Sequence, residues 1–589
     1  MSKAKLAFYA NEWKVNDIAE KKTHELVLQA LRNDGCNGKN SCARNMMIGI
    51  FFDGTGNSHY IAYPKTHSNV ARLFFLHSNN VSEYNHSIYL QGVGTVFKEI
   101  DDYNREIIFG KVPQGAALGY AGMKRINYAY IEILNKISSQ LTRTSPFKFV
   151  DLMKLGMENR AKLSKAESPG VLGMGISAAI KYDTNWKQQN FHADLLDELL
   201  SAEKMTPLLR QMEQKILTGD NRKKIGSINL AVFGFSRGAA EARAFLVHFD
   251  KVFPGRKIAG FPVNIYFAGL FDTVSSVGLV DVFDSNLSFL DGFYSWAKKA
   301  KVEGKHVKEC YHFVALNEVR ACFPLTALNY FKQGRQFAYP GAHSDVGGGY
   351  GEKHQGKTDI SVVAGRHMYY LARKAGVPLM NLEDALKSNS SKAKSSAQAF
   401  NPNDTVDKAF DSFLDKLKTA VSQTKLQKQD EEYDLDALAK IAHNEYLKHR
   451  GYILNSFQER RFYKDSSPSQ KKHLDTINDH VKKMVSITLE QQYQLYVKHF
   501  NSTKLHYRYK DKKIDIKPYS KQVFAQRINP PLSVVQQAQS LKNPPSLHAF
   551  YSDYVHDSVA SFIEMGMNEP AYNNAGILKY RRIYDDGKL

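Results

Sequence analysis

Long apolar runs are missing from this chain of 589 residues. None is long enough to span a bilayer, which excludes an evident transmembrane helix. The amino terminus, Met1-Ser-Lys-Ala-Lys-Leu-Ala-Phe-Tyr-Ala-Asn-Glu-Trp-Lys14, has early lysines but no apolar centre of the signal-peptide kind. Export, if it occurs, is expected by a route that does not read such a peptide. Cysteine is scarce. The four residues Cys36, Cys42, Cys310 and Cys322 form no C-x-x-C pair, so a zinc site is not expected. Cys36 and Cys42 flank a Gly/Asn-rich loop that a disulfide can close in an oxidising space, but reduced thiols are the expected state. RNP-type aromatic motifs and recognition-helix signatures are also absent, so the net charge of +21 is not read as a sign of nucleic-acid binding. No internal repeat is found.

What is present describes a globular protein: 43% apolar and 12% aromatic residues, on a chain long enough for more than one domain. The positive charge is scattered and suits an acidic partner or an anionic membrane face. One stretch organises the rest: Ile228-Asn-Leu-Ala-Val-Phe-Gly-Phe-Ser-Arg-Gly-Ala-Ala-Glu-Ala-Arg243. A short apolar run, Leu230 to Phe233, reads as a buried strand, and the alanines after Gly238 read as a helix. Between them lies the pentapeptide Gly234-Phe-Ser-Arg-Gly238. A strand, a sharp turn and a helix are the setting in which G-x-S-x-G is a nucleophile elbow. Ser236 is the candidate nucleophile, and the N–H of Arg237 at the helix start is a candidate oxyanion donor.

The partners of a nucleophilic serine are sought at the carboxyl ends of other strands. Met46 to Phe52 is a strong strand that runs into Asp53-Gly-Thr-Gly-Asn57, so the N–H groups of Gly54 and Thr55 are candidates for the second oxyanion donor. The run Pro262 to Phe271 ends in Asp272, the expected triad carboxylate, with Asp281, Asp284 and Asp345 as rivals. His312 sits among apolar residues and reads as a core histidine. The strand Gln336 to Pro340 delivers Gly341-Ala-His-Ser-Asp-Val-Gly-Gly-Gly-Tyr350, where His343 is the candidate general base; Asp345 is expected to hold this loop. Ser236, Asp272 and His343 follow the chain order of α/β hydrolases.

The expected fold class is α/β: an α/β-hydrolase-like, mostly parallel sheet with helices on both faces, plus a mainly helical C-terminal portion. Residues 1–45 read as an N-terminal extension, 46–384 as the catalytic domain, and 385–589 as a helical region that packs back on it and contacts a membrane or a partner. Lys387 to Ser396 reads as an exposed linker. Val171 to Ile180, Gly-rich and apolar, is either a lid or a buried connector. His556-Asp-Ser558 stands out in the tail among aromatics, and Leu578 to Tyr584 is basic and apolar.

The landmarks Phe51-Phe-Asp-Gly-Thr-Gly-Asn57, Asn69-Val-Ala-Arg-Leu73, Gly92-Val-Gly-Thr95, Gly234 to Arg243, Phe271-Asp-Thr-Val274 and Gly341 to Tyr350 together resemble the bacterial α/β hydrolases of the type VI secretion lipase effector group, family one. The resemblance spans about residues 46 to 376. It implies an antibacterial phospholipase A, made in the bacterial cytoplasm and delivered to the periplasm of target cells. It also implies partners: a phospholipid surface, a cognate immunity protein, and a spike or tube protein of the secretion machine. The serine, aspartate and histidine roles carry over to Ser236, Asp272 and His343; no cofactor or metal is implied. A hydrolase of other acyl esters and a non-catalytic binding module on the same scaffold are the alternatives. The choice between sn-1 and sn-2 esters stays open.

Overall fold

The apolar runs of the first half assemble side by side. In the computed structural model the described residues are 4–9, 18–33, 43–60, 67–100, 122–148, 225–275, 301–320, 323–329, 331–350, 359–502, 520–558 and 580–584, with short pieces at 102, 106–108, 112–113, 209–211, 213–214, 506–509 and 512–515. Strands β1 (Lys5–Phe8), β2 (Arg44–Phe52), β3 (Asn85–Leu90), β4 (Ile225–Phe235), β5 (Phe261–Phe271), β6 (Glu309–Ala315), β7 (Leu325–Thr326), β8 (Gly334–Tyr339), β9 (Tyr433–Asp434) and β10 (Ile583–Tyr584) are used below. The main sheet is nine-stranded, with the order β9-β1-β8-β6-β5-β4-β2-β3 and the short strand Lys257–Ile258 beside β5. All of its pairs are parallel except β1 with β9 and the Lys257–Ile258 pair.

A parallel sheet is covered on both faces, so its strands are apolar on both sides. β2 shows this by alternation. Met47 and Phe51 belong to one core, and Met46, Ile48, Ile50 and Phe52 to the other. The second core holds the helix Gly122–Thr142 through Ile126, Tyr130 and Leu134, and the helix after the elbow, Arg237–Val252, through Ala240, Phe245 and Phe249. The first core takes the helices Asn69–Leu76 and Ser361–Lys374 and continues into the C-terminal half through Phe410, Phe413, Leu438, Tyr446, Val535 and Tyr551. The C-terminal helices thus lie on one face of the sheet and share its core.

Two expectations need correction. The first residues, expected as an N-terminal extension, are part of the main sheet, because β1 pairs with β8 and buries Leu6 completely. β1 is short, and the partner strands that make it an inner strand lie more than 300 positions away, so local pattern does not reveal it. Lys387 to Ser396 is not an open linker either. Helices Leu382–Lys387 and Ser391–Phe400 cover most of it, and Ala393 and Ser396 are buried. The alanines supply a narrow apolar face that serine and lysine mask in composition. The segment Val171 to Ile180, the acids Asp281 and Asp284, and the pair Cys36 and Cys42 lie outside the described residues.

Candidate active site

Register brings the chemistry to one edge. Phe52 is level with Gly234, Phe235 with Phe271, and Phe271 with Phe313, so the residues just past the strands meet at the carboxyl end of the sheet. Ser236 follows β4 directly and has φ 60° and ψ −127°, outside the regions that L-residues favour. Its N–H donates to Phe271 O at 3.0 Å and its carbonyl accepts from Val274 N at 3.2 Å, which holds the turn. The two glycines are required by close approach. A Cβ on Gly234 would lie 2.6 Å from Ala239 Cα, and one on Gly238 would lie 2.3 Å from Asp53 O. Arg237 is the first residue of the following helix, where N–H groups have no acceptor within the helix.

Asp272 has φ 38°, a second positive value at the end of a neighbouring strand. Its carboxylate is fully occupied. Oδ1 accepts from Ala315 N at 2.9 Å and Arg581 Nη1 at 2.8 Å; Oδ2 accepts from Arg581 Nη2 at 2.8 Å and faces His343 Nδ1 at 2.6 Å. Burial pushes the carboxyl pKa up, but Arg581 and then His343 outweigh burial and hold it far below the usual carboxylate range. Asp272 is therefore ionised and accepts only, so His343 Nδ1 is the donor and a neutral His343 keeps its lone pair on Nε2. Nε2 is buried and makes no hydrogen bond. Burial lowers the His343 pKa, and its bond to Asp272 opposes that shift. The ring lies against Phe235, the residue before Ser236, with centroids 4.6 Å apart, and edge-on to Phe323 at 4.9 Å.

The histidine loop is held from below. His343 N donates to Glu318 Oε2 at 3.1 Å, and Glu318 is also bonded by Arg320 and by Ser558 Oγ at 3.0 Å. Burial pushes the Glu318 carboxyl up, but Arg320 brings it down to about 2. Asp345, a rival for the triad role, turns away from His343. It accepts from Ala342 N at 2.9 Å and from His556 N at 3.2 Å, and lies 2.6 Å from His556 Nδ1. His312 is a core histidine, with Nε2 accepting from Thr273 N at 3.0 Å and Nδ1 3.0 Å from Gln336 Oε1.

The 53–57 loop separates its two oxyanion candidates. Gly54 N–H is already donated to Asp53 Oδ1 at 2.7 Å, which leaves Thr55 as the oxyanion candidate on this loop. Asp53 itself receives Ser68 Oγ and Tyr89 OH, and burial raises its carboxyl to about 6. It ties the loop to neighbouring elements. Sequence reasoning missed Arg581 and Glu318. Arg581 lies in the basic tail, about 310 positions from the carboxylate that it clamps, and no local pattern marks it.

Residues 254–370 match the family model described as "T6SS, Phospholipase effector Tle1-like, catalytic domain". This is the family that the sequence landmarks resemble. The match to the Tle1-like catalytic domain takes in Asp272 and His343 and begins after Ser236. Among solved structures, an uncharacterized protein from Pseudomonas aeruginosa has TM-score 0.61 at 19% identity, covering 99% of this chain and 85% of that one. That likeness supports the fold. A Tle1 effector bound to the VgrG spike of the type 6 secretion system matches at 21% identity over 52% of each chain, with TM-score 0.24. No curated protein matches. Among the described residues no helix is long and apolar enough to cross a membrane, and no cluster of metal-ligating side chains is found.

Proposed function

We propose that this Tle1-like chain is a serine carboxylic-ester hydrolase that cleaves acyl esters of membrane phospholipids and serves as an antibacterial effector. The 2.6 Å pairing of His343 with an ionised Asp272, beside the strained turn that carries Ser236, is the observation that carries the reading. His343 Nε2 takes the Ser236 Oγ proton as Oγ bonds to the ester carbonyl carbon. The oxyanion is met by the N–H groups of Arg237 and Thr55. Collapse breaks the C–O bond to the glycerol oxygen, which leaves with the proton from Nε2. Water repeats the cycle on the acyl-enzyme and releases the fatty acid. Losing one oxyanion donor is expected to cost about 3 kcal/mol of transition-state stabilisation. Delivery to a periplasm, a cognate immunity protein and docking on a spike or tube protein are proposed on the family match.

The test is fatty-acid release from phosphatidylethanolamine and phosphatidylglycerol vesicles, together with covalent labelling by a fluorophosphonate. Ser236→Ala is expected to abolish both, a fall of about 10⁴-fold or more in rate, with the melting temperature kept. Release by Ser236→Ala at the wild-type rate overturns the mechanism. Labelling combined with hydrolysis of short soluble esters alone points to the other acyl-ester reading, and no labelling points to a binding module.

A further inference from the structure

Arg581 belongs to none of the motifs above, yet it grips the carboxylate at the centre of the site. Both of its terminal nitrogens lie 2.8 Å from Asp272, one on each oxygen; Asp272 is buried and Arg581 half-buried. The guanidinium is held from three sides. Nε donates to Phe323 O at 2.9 Å and Nη1 also donates to Ala315 O at 3.0 Å. The next residues form β10, which pairs in parallel with β7, with Leu325 N donating to Arg582 O and Ala327 N to Tyr584 O. β7 is itself fastened to the site: Thr326 N donates to Thr273 O, and Arg243 of the elbow helix donates to the carbonyls of Thr326 and Ala327. The last described strand of the chain thus delivers one cation to one carboxylate through a frame built from the elbow and the Asp272 turn.

A cation on the triad acid has a definite consequence. A bare Asp272 would favour protonation of the imidazole that it holds, and the guanidinium opposes it. The other charged groups near His343 balance differently. Glu318 beneath its N–H is neutralised by Arg320, Asp345 on its own helix is turned to His556, and His312 below Thr273 is held neutral by burial. The cation in direct contact with the carboxylate that holds His343 is Arg581. We propose that Arg581 is a positioning residue that sets the working pH of the catalytic pair: it fixes the plane of the Asp272 carboxylate and keeps His343 unprotonated, and so able to accept the Ser236 proton, under mildly acidic conditions. The proposal rests on the Ser236–His343–Asp272 reading and deepens it.

The test uses the full chain and follows the rate of Ser236 labelling by a fluorophosphonate from about pH 4.5 to about pH 9, which reports the basic form of His343 without needing the natural substrate. In Arg581→Gln the rising limb is expected to move up by about one unit or more, so that labelling at the acidic end falls about tenfold relative to the plateau. Arg581→Lys keeps the charge, and its limb is expected to stay near that of the wild type while the plateau falls as the two-pronged grip is lost. A limb in Arg581→Gln that superimposes on the wild type overturns the proposal and leaves Arg581 a structural tie. If that variant does not fold, Asp272→Asn and Asp272→Asn/Arg581→Gln are compared. Equal labelling rates support action through Asp272, and a further tenfold loss in the double variant overturns it. Absence of labelling in the wild type overturns the Ser236 reading itself, an outcome distinct from normal labelling with an unshifted limb.

Discussion

Two buried aspartate–histidine pairs sit close together in this molecule, each with 2.6 Å between a carboxylate oxygen and Nδ1. Their lengths are the same and their settings are not. Asp272–His343 lies at the end of β5, clamped by Arg581, with Nε2 of the histidine left without a partner. Asp345–His556 joins the histidine loop to the C-terminal region, and its imidazole is stacked between Tyr350 and Phe462 at centroid distances of 4.2 and 4.9 Å. The neighbour of His556, Asp557, is bonded to Arg460, and Ser558 reaches Glu318. A carboxylate beside an imidazole therefore does not by itself distinguish the proposed triad pair from the other. What separates the pairs is the strained serine turn beside one and the aromatic and backbone packing around the other.

The largest effects should come from treating the two pairs alike. Asp272→Asn removes the acceptor that fixes the His343 tautomer, and activity is expected to fall about 10³- to 10⁴-fold. Asp345→Asn leaves Ser236, His343 and Asp272 in place but weakens three bonds that hold the histidine loop. It is expected to cost about 2 to 3 kcal/mol of stability and less than tenfold in kcat measured below its lowered melting temperature. Vesicle hydrolysis and thermal melts of both variants decide the matter. The reverse pattern, with activity lost in Asp345→Asn and kept in Asp272→Asn, would assign the chemistry to the second pair.

Legibility in the sequence followed the reach of the signals. The elbow was readable because strand, turn and helix are contiguous, and Gly234 and Gly238 answer a local need for close approach. The parallel sheet and the strands ending at Asp53, Asp272 and Gly341 were readable because continuous apolar runs mark doubly covered strands. β1, Arg581 and Glu318 act across distances that no local pattern spans. His556-Asp-Ser558 stands out as a motif in the sequence, but its work is divided: each residue reaches a different element, to Asp345, to Arg460 and to Glu318. That division appears only once the C-terminal helices are laid on the sheet. Gly54 and Thr55 look alike as donors in the sequence, and only the structure separates them, since Asp53 folds back onto the N–H of Gly54.

A smaller effect tests whether the two pairs are mechanically joined. Ser558, beside the second pair, donates to Glu318, and Glu318 accepts from the backbone of His343 in the first. Ser558→Ala removes one bond to an anion that keeps its bonds from Arg320 and from His343 N. The expected cost is about 1 kcal/mol of stability and a two- to tenfold loss of kcat/KM, because the His343 backbone is less firmly placed. Stability lost with full activity would make the link a tether for the tail alone.

The smallest expected effect on activity concerns a third buried acid, which has no histidine at all. Glu241, on the elbow helix, is 1% exposed, and neither of its side-chain oxygens has a hydrogen-bond partner. Burial raises its carboxyl to about 8, although Arg125 and Arg237 pull it down. An acid whose folded pKa lies above its unfolded value stabilises the fold where it is protonated in both states, and that contribution is lost as pH rises through the folded value. The wild type should therefore lose stability between about pH 4.5 and pH 8 through this residue, while Glu241→Gln stays neutral throughout. The melting temperatures of the two proteins are expected to coincide near pH 4.5 and to diverge upward, the variant gaining on the order of a few kcal/mol by pH 9, with activity changed less than in any variant above. A difference that does not grow with pH would mean that Glu241 is ionised in the fold. It would then be a charged neighbour of Arg237 and a term in the electrostatics of the oxyanion site, and the contrast between acids that serve the reaction and acids that are merely enclosed would have to be redrawn.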